Sequence, residues 1–247
     1  MSQRARPDRV EVLGLPVDLV DRAELVARGL EAIHHKTPFH MVAINALKSL
    51  AAIEDEELAR IVREADLVYP DGAGIVWALR RLHGVRVRAV PGCDLMEELL
   101  EVADREGLRV HLVGGSQEVA ARMAHIVRAR LPGVLLTGSS GGYFSGAGWA
   151  GAVAAAVEAR ADLLFVAMGA GRQERFIRDV AAAGGRSLMM GVGGSFDVYA
   201  GVVRRAPPWV RGLRLEWLFR ALRQPSRIPR ILRLPRFVRQ VLRAQRR

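Results

Sequence analysis

Through residues 1–203 the chain alternates short apolar runs with longer stretches whose apolar residues recur every three or four positions. The short runs read as strands: Val10–Leu13, Phe39–Ile44, Leu67–Tyr69, Arg109–Val113, Val134–Thr137, Leu163–Met168 and Ser187–Val192. The stretches between them read as helices. Asp21 is placed to cap the one that runs through His34, with Glu24 at the capping-box position, and Ser116 to cap the one through Arg130. Gly148–Arg160 is alanine-rich, and Arg172–Ala183 stops at Gly184-Gly185. Strands alternating with helices predict an α/β fold, a mainly parallel sheet with helices on both faces, as one domain over residues 1–203. In such sheets ligands sit at the carboxyl ends of the strands, so the turns there carry the chemistry.

The strand ending at Tyr69 runs into Pro70-Asp71-Gly72-Ala73-Gly74. A carboxylate at that turn, with small residues beside it, is either a helix N-cap or a general base open to substrate. Asn45 ends the Phe39–Ile44 strand in a similar position, and a plain capping role stays open for it. Gly114-Gly115-Ser116 joins a strand to a helix, a geometry in which free backbone N–H groups bind phosphate, although this turn is neither a full GxGxxG nor a Walker motif. Gly169-Ala170-Gly171-Arg172-Gln173-Glu174 opens a helix whose positive end suits a diphosphate or sugar. Gly193-Gly194-Ser195-Phe196-Asp197 follows the strand ending near Val192. Three glycine turns on one sheet edge predict a nucleotide or nucleotide-sugar cleft.

No DxD pair and no Cys/His cluster of metal spacing occurs, so neither a metal nor another cofactor is expected. His34, His35, His40, His83, His111 and His125 are scattered and read as surface or core residues. Cys93 is the only cysteine, which excludes an internal disulfide and fits a reducing cytoplasm. Should a diphosphate leave, protein cations and helix N-termini must stabilise it in place of a metal.

Charge collects at one end. Arg204–Arg247 holds fourteen arginines against one acid, Glu216, for +13, while the whole chain carries +11, so residues 1–203 sum to −2. Pro207-Pro208 breaks the chain near this boundary, Trp209–Arg223 reads as an amphipathic helix, and Pro225, Pro229 and Pro235 interrupt a second basic-apolar stretch. A solvated tail, a nucleic-acid binder and a membrane-associating appendage are the readings of residues 204–247. No DNA- or RNA-binding motif accompanies the charge, so no nucleic-acid partner is expected. Trp209, Leu213, Trp217, Leu218, Ile228, Ile231, Leu232, Phe237, Val238, Val241 and Leu242 interleave with the arginines. That pattern suits a surface helix whose apolar face dips into the headgroup boundary while each arginine adds about 1 kcal/mol on anionic lipid. Met1–Val12 lacks the apolar stretch of a signal peptide, and no apolar run approaches the ~20 residues that cross a bilayer.

In chain order the turns give Asn45, Pro70-Asp71-Gly72-Ala73-Gly74-Ile75-Val76, Arg88 through Pro91-Gly92-Cys93-Asp94-Leu95, and Gly142-Tyr143-Phe144. Gly169 to Glu174, Gly191 to Asp197, Arg205-Ala206-Pro207-Pro208-Trp209, Glu216-Trp217-Leu218-Phe219-Arg220 and Pro225-Ser226-Arg227 follow. This ordered set, from about Val10 to Arg230, resembles the WecG/TagA/CpsF glycosyltransferase family. The resemblance implies a Rossmann-like fold and an inverting, metal-independent enzyme, peripheral on the cytoplasmic face of the plasma membrane. It implies a UDP-sugar donor, UDP-N-acetylmannosamine in the best-known members, and a sugar on a polyprenyl diphosphate as acceptor. The product would feed teichoic acid, enterobacterial common antigen or exopolysaccharide.

By that resemblance Asp71 is the base, Asn45 stands beside it, and Arg220, Arg227 and Arg230 of the appendage close over the active site. Arg88, Asp94, Gly114, Tyr143, Gly169, Arg172, Gln173, Glu174, Gly193, Gly194 and Asp197 are expected to bind substrate, with Gln173 and Asp197 on the nucleotide sugar. Ala43 departs from the pattern, since relatives of TagA carry threonine two residues before the asparagine; Cys93 stands where threonine or alanine is usual. A UDP- or dinucleotide-binding protein of another class, with a membrane-docking tail, is the alternative. Oligomeric state, including a homo-oligomer, stays open.

Overall fold

A computed structural model describes residues 7–203, 206–207, 219 and 228–246 of the chain. It opens with an antiparallel hairpin, β1 (Arg9–Val12) and β2 (Leu15–Asp18). There follow α1 (Arg22–His34), β3 (Phe39–Ile44), α2 (Ala46–Glu54), α3 (Glu56–Glu64), β4 (Leu67–Pro70), α4 (Ala73–His83) and α5 (Gly92–Glu106). Next come β5 (Arg109–Gly114), α6 (Gln117–Arg130), β6 (Leu135–Ser140), α7 (Ala147–Glu158), β7 (Leu163–Ala167), α8 (Arg172–Ala182), β8 (Leu188–Gly191) and the short α9 (Ser195–Tyr199). Among the described residues of the arm are α10 (Ile228–Ile231) and α11 (Leu234–Ala244).

The strands β3 to β8 form one sheet in the order β4-β3-β8-β7-β5-β6, and every neighbouring pair is parallel. The α/β architecture expected from the alternating pattern is the one observed. Asp21 accepts from the Glu24 N–H at 2.9 Å and Ser116 from the Val119 N–H at 3.2 Å, so both expected caps are made. Glu24 does not complete a capping box; its carboxylate takes Arg28 one turn on.

Strand β2 was not expected from the pattern. The chain reverses at Leu13 (φ 53) and Gly14 (φ 82), both left-handed. A leucine at the first of these positions gives no turn signal, because a side chain with a Cβ disfavours that conformation. Tertiary packing holds it there. Val12, Leu15 and Val17 are buried in one cluster with Val42 and Ile44 of β3 and Val68 of β4. The buried Asp18 carboxylate accepts both Arg9 Nε (2.7 Å) and Nη2 (2.9 Å), and also the Val68 N–H at the sheet edge (2.7 Å).

Alternation along each strand divides the core into two faces. Met41, Ala43, Leu67, Tyr69, Val110, Leu112, Phe165 and Met190 meet α1, α5, α6 and α9 on one face. On the other, Val42, Ile44 and Val68 meet α2, α3 and α4, whereas Val113, Leu164, Val166 and Met189 meet α7 and α8. That second face therefore carries two apolar clusters, one over β3 and β4 and the other over β8, β7 and β5.

Helix α11 corrects the lipid face read from the pattern. Phe237 and Val241 do not point to a membrane; both are fully buried with Ala46, Ile75 and Ala78. Arg233 and Arg236 pair with Glu54 at the end of α2. Val238, Leu242 and, before the helix, Leu232 stay exposed.

The hairpin clamp sets a prediction. Asp18→Ala strands the Arg9 guanidinium and the Val68 N–H, and should lower unfolding free energy by about 3 kcal/mol in urea titration. A loss within error of zero would show that the clamp contributes nothing.

Candidate functional site

Because all six strands are parallel, their carboxyl ends share one edge. The strand order then ranks the turns along it: Asp71 after β4, Asn45 after β3, Gly193-Gly194 after β8, Gly169–Gly171 after β7, Gly114-Gly115 after β5, and Gly142-Tyr143 after β6. Helix α6, following β5, covers one face, and α8, following β7, covers the other. Neighbouring strands whose helices leave to opposite faces open a crevice between their ends. Asp71 stands three strand spacings from the β7 turn, about 14 Å.

Asp71 is not a helix cap. The N-cap of α4 is Gly72, whose φ of 86° suits glycine, and no side chain caps that helix. The Asp71 N–H donates to the Ile44 carbonyl at 2.8 Å, so the turn continues the β3–β4 ladder for one more bond. Asn45 does two things at once. Its Oδ1 accepts from the Lys48 N–H (3.0 Å) and caps α2, while its Nδ2 donates to Asp71 Oδ2 (3.4 Å). The Asp71 carboxylate is thus half-buried at a strand end, with one oxygen held by an amide.

The Val90 N–H donates to the Pro70 carbonyl at 2.9 Å. This bond seats the loop bearing the exposed Arg88, and the start of α5 with the half-buried Asp94, beside the Asp71 turn. Beneath them Tyr69 is fully buried, and its hydroxyl has no hydrogen-bond partner among the described residues. Burial, and secondarily the charge of Asp71, pushes that phenol well above its ordinary range. Ala43 is the register partner of Tyr69.

At the other end the glycine turns stack closely. The Gly115 N–H donates to Ala167 O and the Gly142 N–H to Gly115 O, both at 2.9 Å. A Cβ at Gly114 would lie 2.5 Å from the Ala167 backbone, so only glycine fits there. Arg172 reaches from α8 to the carbonyls of Gly142 and Phe144, each at 3.0 Å, with its guanidinium 5.5 Å from the Trp149 ring centre. Thus Arg172 fixes the loop that presents Tyr143, which is 86% exposed. Asp197 lies half-buried in the first turn of α9.

Gln173 and Glu174, expected against the ligand, are buried beneath the turns. Glu174 Oε2 accepts the Gly171 N–H (2.6 Å), and its Oε1 takes Gln173 Nε2 (3.0 Å) and Lys48 Nζ (2.7 Å). Gln173 Oε1 in turn accepts the Gly193 N–H at 3.0 Å. Room for the amide comes from Gly191, where a Cβ would fall 2.3 Å from Gln173 Nε2. Burial opposes the Glu174 charge, but Lys48, Gln173 and the Gly171 N–H together hold its pKa below the ordinary value.

Lys48 was missed in the sequence. The available signal was a lysine within a helix of otherwise small and apolar residues, Ala46-Leu47-Lys48-Ser49-Leu50-Ala51-Ala52. On the same sheet face lies His40, half-buried as a residue but with Nε2 enclosed and unpartnered among the described residues. Burial lowers its pKa from 6.5 to about 4, with Glu174 opposing and Lys48 assisting.

Arg220 and Arg227 lie outside the described residues, as do the helix expected over Trp209–Arg223 and the side chain of Arg230. Among the described residues no three His, Cys, Asp or Glu side chains gather as a metal site, and no helix is long and apolar enough to cross a membrane.

The model of the WecG/TagA/CpsF family of glycosyl transferases matches residues 10–247. The chain belongs to that family and is a glycosyltransferase of cell-surface polysaccharide synthesis.

His40 gives a pH prediction. With the folded pKa below the unfolded one, the unfolded chain binds the extra proton between about pH 6.5 and 4, so stability falls as pH drops through that window. Urea unfolding at pH 7 and pH 5 should show roughly 2 kcal/mol of this loss, and His40→Leu should remove it. An equal loss in the variant would assign the effect elsewhere.

Proposed function

We propose that the enzyme is an inverting, metal-independent transferase that moves a hexosyl group, N-acetylmannosamine or a similar sugar, from a UDP-sugar to a sugar on a polyprenyl diphosphate. The observation that carries this reading is the Asp71 carboxylate, held by Asn45 at one end of a sheet edge whose other turns are glycine-rich. An extended nucleotide sugar suits the span from the β7 turn to Asp71. The nucleotide lies over the Gly114, Gly169 and Gly193-Gly194 turns, with Tyr143 and Asp197 at its flanks and Arg88 and Asp94 near the sugar.

In the reaction the acceptor hydroxyl gives its proton to Asp71 as its oxygen bonds to the anomeric carbon. The bond from that carbon to the β-phosphate oxygen breaks, and its electron pair leaves with UDP. Asn45 holds the carboxylate in place. The amino ends of α6 and α8 favour the developing negative charge. Arg220, Arg227 and Arg230 complete that stabilisation when residues 204–247 dock over the cleft at the cytoplasmic membrane face.

The apolar stripe of α11 is taken up by the domain. Any lipid contact of this helix must therefore use its outer side, with Val238 and Leu242, nearby Leu232, and Arg239, Arg243 and Arg246. Acidic lipid would satisfy that combination of cations and apolar side chains.

Two measurements test these readings. Asp71→Asn should lower turnover ~10²–10⁴-fold while UDP still raises the melting temperature, since only positioned proton transfer is removed. Full turnover by this variant would take the base role from Asp71. Replacing Leu232, Val238 and Leu242 with glutamine should cut flotation with anionic vesicles several-fold and leave thermal unfolding unchanged. Unaltered flotation would take α11 off the membrane face.

A further inference from the structure

The base side of the cleft and its nucleotide side belong to different strands, and one chain of buried contacts joins them. On the base side, Asn45 bonds Asp71 and caps α2 through the Lys48 N–H. Three residues into the cap, the Lys48 side chain leaves the same turn and meets Glu174 at 2.7 Å. Glu174 holds the Gly171 N–H, and Gln173 holds the Gly193 N–H, which are the turns after β7 and β8. The side chains of Lys48 and Glu174 are 5% and 1% exposed. Two charges enclosed to that degree are costly unless paired, so neither helix can shift without carrying the other.

We propose that the Lys48–Glu174 ion pair couples the two halves of the cleft, so that a nucleotide on the β7 and β8 turns tightens the first turn of α2 and the Asp71 turn. Lys48 acts as a positioning residue for the base, through Asn45, without touching substrate. Docking of the donor then sets the base in place before the acceptor arrives. Bonds from α8 to α3, Arg175 to Asp55 (2.6 Å) and Arg175 and Arg178 to Glu57 (both 2.5 Å), run parallel to this link on the outside. Those carboxylates and guanidiniums are partly solvated, and such pairs yield more easily than an enclosed one.

The inference rests on the nucleotide reading above, and hydrogen–deuterium exchange with UDP alone separates the two. The informative amides are Lys48, bonded to Asn45 Oδ1, Ser49, bonded to Asn45 O, and Asp71, bonded to Ile44 O. In the native chain UDP should slow exchange at the Gly171 and Gly193 amides, and at these three by about 5-fold or more, the lower end of ordinary coupling between sites. In Lys48→Met/Glu174→Gln, which buries no charge, UDP should still protect the Gly171 and Gly193 turns and should lose its effect on the three. Lys48→Met alone, in which Glu174 keeps the Gly171 and Gln173 donors, is the second variant and should behave the same way. Protection of the three amides that persists in a folded variant would overturn the coupling, as would its absence in the native chain when the glycine turns are protected. No protection anywhere in the native chain would instead overturn the nucleotide reading.

Discussion

A lysine and a glutamate carried to the inside of one sheet face have two outcomes: they meet, or the fold carries an uncompensated charge that costs several kcal/mol. Here they meet, Lys48 reaching from α2 and Glu174 from α8. The turns of the cleft depend on this meeting. Glu174 holds the Gly171 N–H with its second oxygen, Gln173 holds Gly193 with its amide, and Gly191 is small because Gln173 lies on it. The polar network thus does for the carboxyl edge of the sheet what apolar packing does for its middle. It specifies the relative heights of three loops, a task to which interchangeable apolar contacts are less suited.

The family membership identifies the chemistry as glycosyl transfer, and the geometry makes particular residues candidates for it. Gly72, rather than Asp71, occupies the cap of α4, so capping does not account for the carboxylate at that turn. Asn45 both caps a helix and holds a carboxylate, so the choice between structural and functional readings does not arise for it. Arg172 shows the reverse. Its position at the start of α8 suggested a ligand for a diphosphate, yet its donors reach the carbonyls of Gly142 and Phe144 and make it the support of the Tyr143 loop.

Much of the fold was legible. Periodicity located the strands of the main sheet and the caps at Asp21 and Ser116, because strand alternation and capping are local. Strand β2 was not legible, since its turn places Leu13 at φ 53 and only contacts with β4 and α3 compensate for that. In α11 the amphipathic pattern was plain and its partner was not. A helical stripe of leucine, phenylalanine and valine reads the same whether it faces lipid or protein, and here Phe237 and Val241 face the domain.

By itself the sequence determined the class of fold, the succession of turns and the family, because these depend on order along the chain and on residue type. It also determined that the charge lies in the arm, since charge is a sum over residues. Tertiary structure alone decided which turns are neighbours, because the strand order β4-β3-β8-β7-β5-β6 is not the chain order. It decided that Gln173 and Glu174 lie beneath the cleft and that Lys48 joins them, for a buried ion pair needs two helices from distant parts of the chain to converge within hydrogen-bond distance. No local pattern records that convergence.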